Sequence, residues 1–271
     1  MKTKILVVTL TLASLCVLTS CQPKKSEDKK TGVAKIEAPQ SNVTKEEIRA
    51  IIRSMPTQTE IIKLINSTGA SYLAGFTNES LNTQNLLTRS EKAMALGSVL
   101  FDLAYTHMYR QVEPFNKLIK ISETLTKDMG FEEIVESIKT LRADYEKNKD
   151  NKEELDKIFE EWRVDSKKLL YTSGSVKDIS LIYSAGVVKS LNVISYLTLF
   201  APQKDQLLVV LKNQKGAMNA VCEILSKSPG DPDISKYLET LTPINKIFQS
   251  TEPFTQKSIE EINSRTVAVV K

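Results

Sequence analysis

The segment Ile179 to Phe200, ISLIYSAGVVKSLNVISYLTLF, holds a single charged residue, Lys189, and constrains this chain more than any other feature. A helix apolar on every side has no face to offer water, so it lies inside a protein core or inside a membrane. The run is long enough for a bilayer, which needs about 20 residues. A lysine at its centre would cost roughly 2.5 to 3.5 kcal/mol there, and the chain carries a different kind of membrane signal at its N-terminus. A buried core helix is the expectation. AMALGSVLFDLAY, Ala93 to Tyr105, has the same character, with Asp102 as its one charge. Gly97 in one segment and Ala185-Gly186 in the other are small enough for the two helices to approach closely.

The rest of the body reads as amphipathic helix. Thr44-Lys-Glu-Glu47, Thr57-Gln-Thr-Glu60 and Thr88-Arg-Ser-Glu91 are capping boxes, in which hydroxyl and carboxylate satisfy free backbone donors at a helix start. The pattern predicts helices from Thr44 to Pro56, from Thr57 to Gly69 and from Thr88 to about Arg110. Others follow from Pro114 to Gly130, over 131–147 and 151–170, from a Ser175 cap to Phe200, and from Pro202 to about Ser226. Two shorter ones cover 234–249 and 254–269. Gly69 to Leu87 is polar and irregular, the longest loop in the body, and SPGDPD at 228–233 is a break. No strand pattern and no 34-residue repeat is present. The expectation is an all-α multi-helix bundle of about eight to ten helices, with the two apolar helices central.

The first residues are not part of that bundle. Lys2 and Lys4 precede a thirteen-residue apolar run, Ile5 to Val17, as in a bacterial export signal. Leu18-Thr19-Ser20-Cys21 resembles the lipobox of bacterial lipoproteins. That resemblance implies cleavage before Cys21, a diacylglycerol on its thiol and a further acyl chain on the new N-terminus. Residues 1–20 are then a lipoprotein signal peptide, 21–43 a lipidated cysteine with a Lys-, Pro- and Ser-rich linker, and 44–271 one helical domain. A flexible linker of that length reaches roughly 25 Å. Gln22 stands where an aspartate marks inner-membrane retention, so the analogy points to the outer membrane, with either face open.

Composition excludes several classes. Without Lys2 and Lys4, 35 of the 37 basic residues face 33 acidic ones, which argues against a nucleic-acid partner. Cys222 is the one cysteine left after the signal and the lipid site, so no internal disulfide can form. The single histidine, His107, rules out a two-histidine metal site; neither a metal nor a cofactor is expected. No GxSxG, GxGxxG or Walker A pattern occurs. The paired glutamates at 132–133, 153–154, 160–161 and 260–261 sit in charged stretches and read as solvated faces. The notable polar residues are those in the two apolar helices. Asp102, Tyr105 and Tyr109 share a helical face, and Lys189 interrupts the other helix. A buried charge needs a partner, so Asp102 and Lys189 are expected to meet or to share a polar pocket with Tyr105 and Tyr109.

PTQTEIIKLINSTGASY (Pro56 to Tyr72) and TRSEKAMALGSVLFDLAYTHMYRQ (Thr88 to Gln111) resemble a group of helical lipoproteins from Bacteroidetes. The matching positions are Pro56, Glu60, Gly69, Tyr72, Lys92, Ala93, Leu96, Gly97, Asp102, Leu103 and Tyr105. Ala185-Gly186-Val187-Val188-Lys189 stands where that group carries Gly-Gly-Trp-x-Glu. The resemblance implies the fold and the anchor and transfers no catalytic residue. The functional expectation is a lipid-anchored cell-envelope protein, not an enzyme, that acts by binding an envelope protein partner or assembly. Its contact surfaces would be the Gly69 to Leu87 loop and exposed helix faces. Two alternatives are a small-molecule binder with a polar pocket between the central helices, and an enzyme of unrecognised type.

Overall fold

The computed structural model describes residues 43–270. The expected signal peptide (residues 1–20), the expected lipidation site Cys21 and all but the last residue of the expected linker (21–43) lie outside them. Within the described residues the chain is all-helical, with no strand. The order is α1 (Lys45–Arg53), α2 (Gln58–Ser67), α3 (Arg89–Met108), α4 (Val112–Asp128), α5 (Glu132–Lys147) and α6 (Lys152–Ser173). It continues with α7 (Val176–Phe200), α8 (Lys204–Lys212), α9 (Lys215–Ser226), α10 (Pro232–Gln249) and α11 (Gln256–Val270).

Local signals place most of the helix starts. Thr44 with Glu47, Thr57 with Glu60 and Thr88 with Glu91 close complete capping boxes, and Ser175 with Asp178 makes a fourth. Asn151 and Asp231 cap α6 and α10 with their side chains. Gly130 follows α4 at φ +72°, in the left-handed region that a residue without Cβ enters freely. One expected helix divides. The stretch after Pro202 breaks at Asn213–Gln214, where the Gln214 side-chain amide donates to the Val210 carbonyl at 3.1 Å and so competes with the backbone ladder.

The two apolar helices are the centre. α3 and α7 share the largest helix–helix interface, α4 packs on the far side of α3, and α5 and α6 follow in sequence. α1, α2, α8, α9 and α11 line α7, and α10 covers α9. Of the apolar window in α7, 89% is buried inside this fold, so the helix is a core helix here despite its membrane-like length. Close approach depends on small residues, as expected. A Cβ added to Gly97 would lie 2.0 Å from the Ile182 carbonyl oxygen, and one added to Gly186 would lie 3.3 Å from the Gly97 carbonyl oxygen.

Many polar groups in the core are paired locally or across helices, though Ser184 Oγ and the Tyr237 hydroxyl are among those with no partner in the described residues. The hydroxyls of Ser180, Ser190, Ser195 and Thr198 donate to carbonyls three or four residues back. Asn263 of α11 donates to the Asn192 carbonyl and to Ser195 Oγ, which sets α11 against α7. At one end of the bundle Arg89 grips both oxygens of Asp178 at 2.9 and 3.0 Å and donates to the Met129 carbonyl, tying α3, α4 and α7 together. Ser90 and Lys177 hold Asp233 of α10 to the same end.

Candidate functional site

The four residues singled out from the central helices converge. Lys189 Nζ lies 3.5 Å from Asp102 Oδ1, an ion-pair distance rather than a hydrogen bond, with the side chains 2% and 0% exposed. Neither charge relies on the other alone. Lys189 donates to the Phe76 carbonyl at 2.5 Å, and Asp102 Oδ2 accepts from the Asn78 backbone N–H at 2.8 Å. Burial pushes the Asp102 carboxyl up to about 7, while Lys189 and the Asn78 amide pull it down.

Tyr105 and Tyr109 serve the same segment. The Tyr105 hydroxyl accepts from the Leu73 N–H at 3.1 Å, and the Tyr109 hydroxyl donates to the Ala70 carbonyl at 2.8 Å. Tyr72 stacks on Tyr105 with ring centroids 5.2 Å apart, and Phe76 packs on Tyr196 at 4.2 Å. All four residues therefore surround the chain from Ala70 to Asn78 and satisfy its backbone groups. The cluster is a clamp that seats the loop on the core. The loop's first half is correspondingly packed down, and Thr83–Asn85 forms a short 3-10 turn beyond it.

His107 is held in a second polar cluster. The Tyr145 hydroxyl lies 2.6 Å from Nδ1, Asp156 Oδ1 lies 2.9 Å from Nε2, and Phe159 stacks on the ring at 4.3 Å. Arg110, in a left-handed conformation at φ 57°, binds both oxygens of the same Asp156. Burial, with the nearby Arg110 charge, lowers His107 to about 4, so the ring is neutral. Cys222 is half-buried, and burial raises its thiol to about 11, which leaves it protonated and unreactive.

The open space is elsewhere. A cavity of about 240 Å³ lies among α1, α2, α3, α6 and α7, with a floor reaching α4 and α5. None of Asp102, Tyr105, Tyr109 and Lys189 lines it. Leu96, Leu100 and Ala104 make one wall, and Ile182, Gly186 and Val187 another. α6 contributes Trp162, Arg163 and Lys167, and α1 contributes Arg53. Exposed Arg53 and Pro56 mark where the cavity meets solvent. It exceeds the apolar cavity of about 150 Å³ that suffices to bind benzene.

Pro56, Leu96 and Gly186 are named in the sequence for other reasons, but no cavity residue is expected there to line a pocket. A signal was nevertheless present: Arg163 and Lys167 on α6 are like charges at i,i+4, a spacing that costs helix stability. Comparison of the chain with protein-family models, curated proteins and solved structures finds no match.

Proposed function

We propose that this is a lipid-anchored cell-envelope protein that binds a small apolar ligand in the cleft beside α6 and α7. The cavity carries the reading. It is mostly apolar, large enough for a ligand and open at one end, as small-molecule sites are. The anchor rests on the lipobox-like sequence at Leu18 to Cys21. The ionisable groups of the cavity are Arg53, Arg163, Lys167 and Tyr183, which suit binding rather than acid–base or nucleophilic chemistry.

Trp162, the only tryptophan in the chain, lines the cavity and reports directly on it. The full chain in phosphatidylcholine vesicles should transfer energy from Trp162 to the neutral apolar probe 1-aminoanthracene, saturably and at one probe per protein. Ala104→Leu, which fills the cavity from α3, should abolish the transfer, as should Val187→Phe from the α7 side. Transfer that never saturates, or that survives both substitutions, would sink the proposal. A protein-partner role has its own test. Crosslinking in intact cells that captured one stoichiometric envelope protein would favour that reading instead.

A further inference from the structure

Three cations line the mouth of the cavity, and one carboxylate, Glu160, sits on one of them, Arg163. Arg53 comes from α1 and Arg163 and Lys167 from α6, while Arg49, one turn before Arg53, lies outside the cavity lining. Among the described residues Arg163 is paired with Glu160, but no carboxylate lies within 4.0 Å of Arg49, Arg53 or Lys167. Lys167 is half-buried, with its ammonium over the Tyr183 ring, 5.8 Å from the centroid. Its ammonium is held below the ordinary lysine range by burial and by Arg163, Arg49 and Arg53.

A second observation lies deeper in the same cavity. Trp162 is only 9% exposed, and its Nε1–H has no acceptor among the described residues. A buried donor without a partner is costly and uncommon. Two cations without a carboxylate partner, Arg53 and Lys167, thus stand at the mouth of an apolar interior.

We infer that the ligand is an amphipathic carboxylate, an acyl chain in the apolar cavity with its carboxylate held at the mouth by Arg53 and Lys167. This deepens the binding reading proposed above and rests on it. Scaling from the benzene-sized cavity, about 240 Å³ accommodates roughly ten chain carbons, which makes a medium-chain acid the natural fit.

The test uses Trp162 fluorescence of the full chain in phosphatidylcholine vesicles, with protein-free vesicles measuring how each probe partitions into lipid. Decanoate is compared with decanol, which has the same chain and no charge. Decanoate should bind at least about tenfold more tightly, the size expected of a charge-assisted hydrogen bond. The double substitution Arg53→Gln, Lys167→Gln, at two positions not buried in the core, should erase that preference, bringing decanoate affinity down to that of decanol in the same variant. Equal binding of both compounds would overturn the carboxylate assignment while leaving the apolar cavity reading intact. A preference that survived the double substitution would overturn the role of Arg53 and Lys167. If neither compound altered Trp162 fluorescence, the cavity reading itself would fail and the headgroup assignment with it.

Discussion

Asp102 and Lys189 show how two residues that look misplaced can specify one another. Each interrupts an apolar helix, and each would be costly alone, because removing one partner of a buried pair leaves an uncompensated charge. Lys189→Met should therefore destabilise the fold by about 3 to 5 kcal/mol, and Asp102→Leu by a similar amount. The double substitution should cost far less than the two added together, since no orphan charge remains. Urea unfolding of the three variants measures this, and strict additivity would show that the pair is not coupled. The Phe76 carbonyl and the Asn78 amide share the same charges. Limited proteolysis within 70–80 should thus rise in the double variant even where global stability recovers. Sequence reasoning reaches the pair from hydropathy alone, because a charge inside an apolar run demands an answer. It does not reach the backbone groups that share the charge, since a loop carries no periodic signal that places its carbonyls.

Glycines separate the roles of the helices. Gly97 sits where α3 and α7 touch, and its missing Cβ is what allows the contact. Gly97→Ala should cost about 3 kcal/mol by overpacking against backbone that cannot move aside. Gly216, near the start of α9, has nothing within 4 Å of the added Cβ. Gly216→Ala should instead gain about 0.5 kcal/mol through lower backbone entropy in the unfolded chain. Thermal unfolding of the two variants distinguishes them, and a shift of the same sign in both would contradict this account. The helix starts were legible because a cap is a four-residue event, complete in Thr88-Arg-Ser-Glu91 or Thr57-Gln-Thr-Glu60. The division of the stretch after Pro202 was not. Asn213 and Gln214 are only weakly unfavourable in a helix, and the Gln214 side chain turns back to Val210 inside the core.

For the molecule as a whole, His107 links the fold to acidity. Its folded-state pKa is depressed to about 4, from an ordinary value of 6.5. The unfolded chain therefore takes up a proton at a pH where the native chain does not. The associated stability is complete above about pH 6.5 and declines as the pH falls toward 4, by roughly 2 kcal/mol at pH 5. Urea midpoints at pH 7.5 and pH 5 should fall further apart in the natural chain than in His107→Gln, which carries no such proton. Equal differences in the two proteins would show that His107 is not the group responsible.

The division between sequence and tertiary structure follows from the range of the forces involved. Helix content, the caps and the central place of the apolar helices follow from the sequence by itself, as does the need to pair Asp102 with Lys189. Each depends on residues within a few turns, or on the cost of exposing apolar surface or burying a lone charge. The cavity belongs to the tertiary structure. Its walls come from Arg53, Leu96, Trp162 and Ile182, more than a hundred residues apart along the chain at their extremes. Space between helices is what packing leaves over, and no single segment encodes it. The loop from Ala70 to Asn78 teaches the same lesson in reverse. Its polar, irregular sequence suggests an exposed surface, yet Tyr105, Tyr109, Asp102 and Lys189 satisfy its backbone from the core side, and that decision is made only where the helices meet.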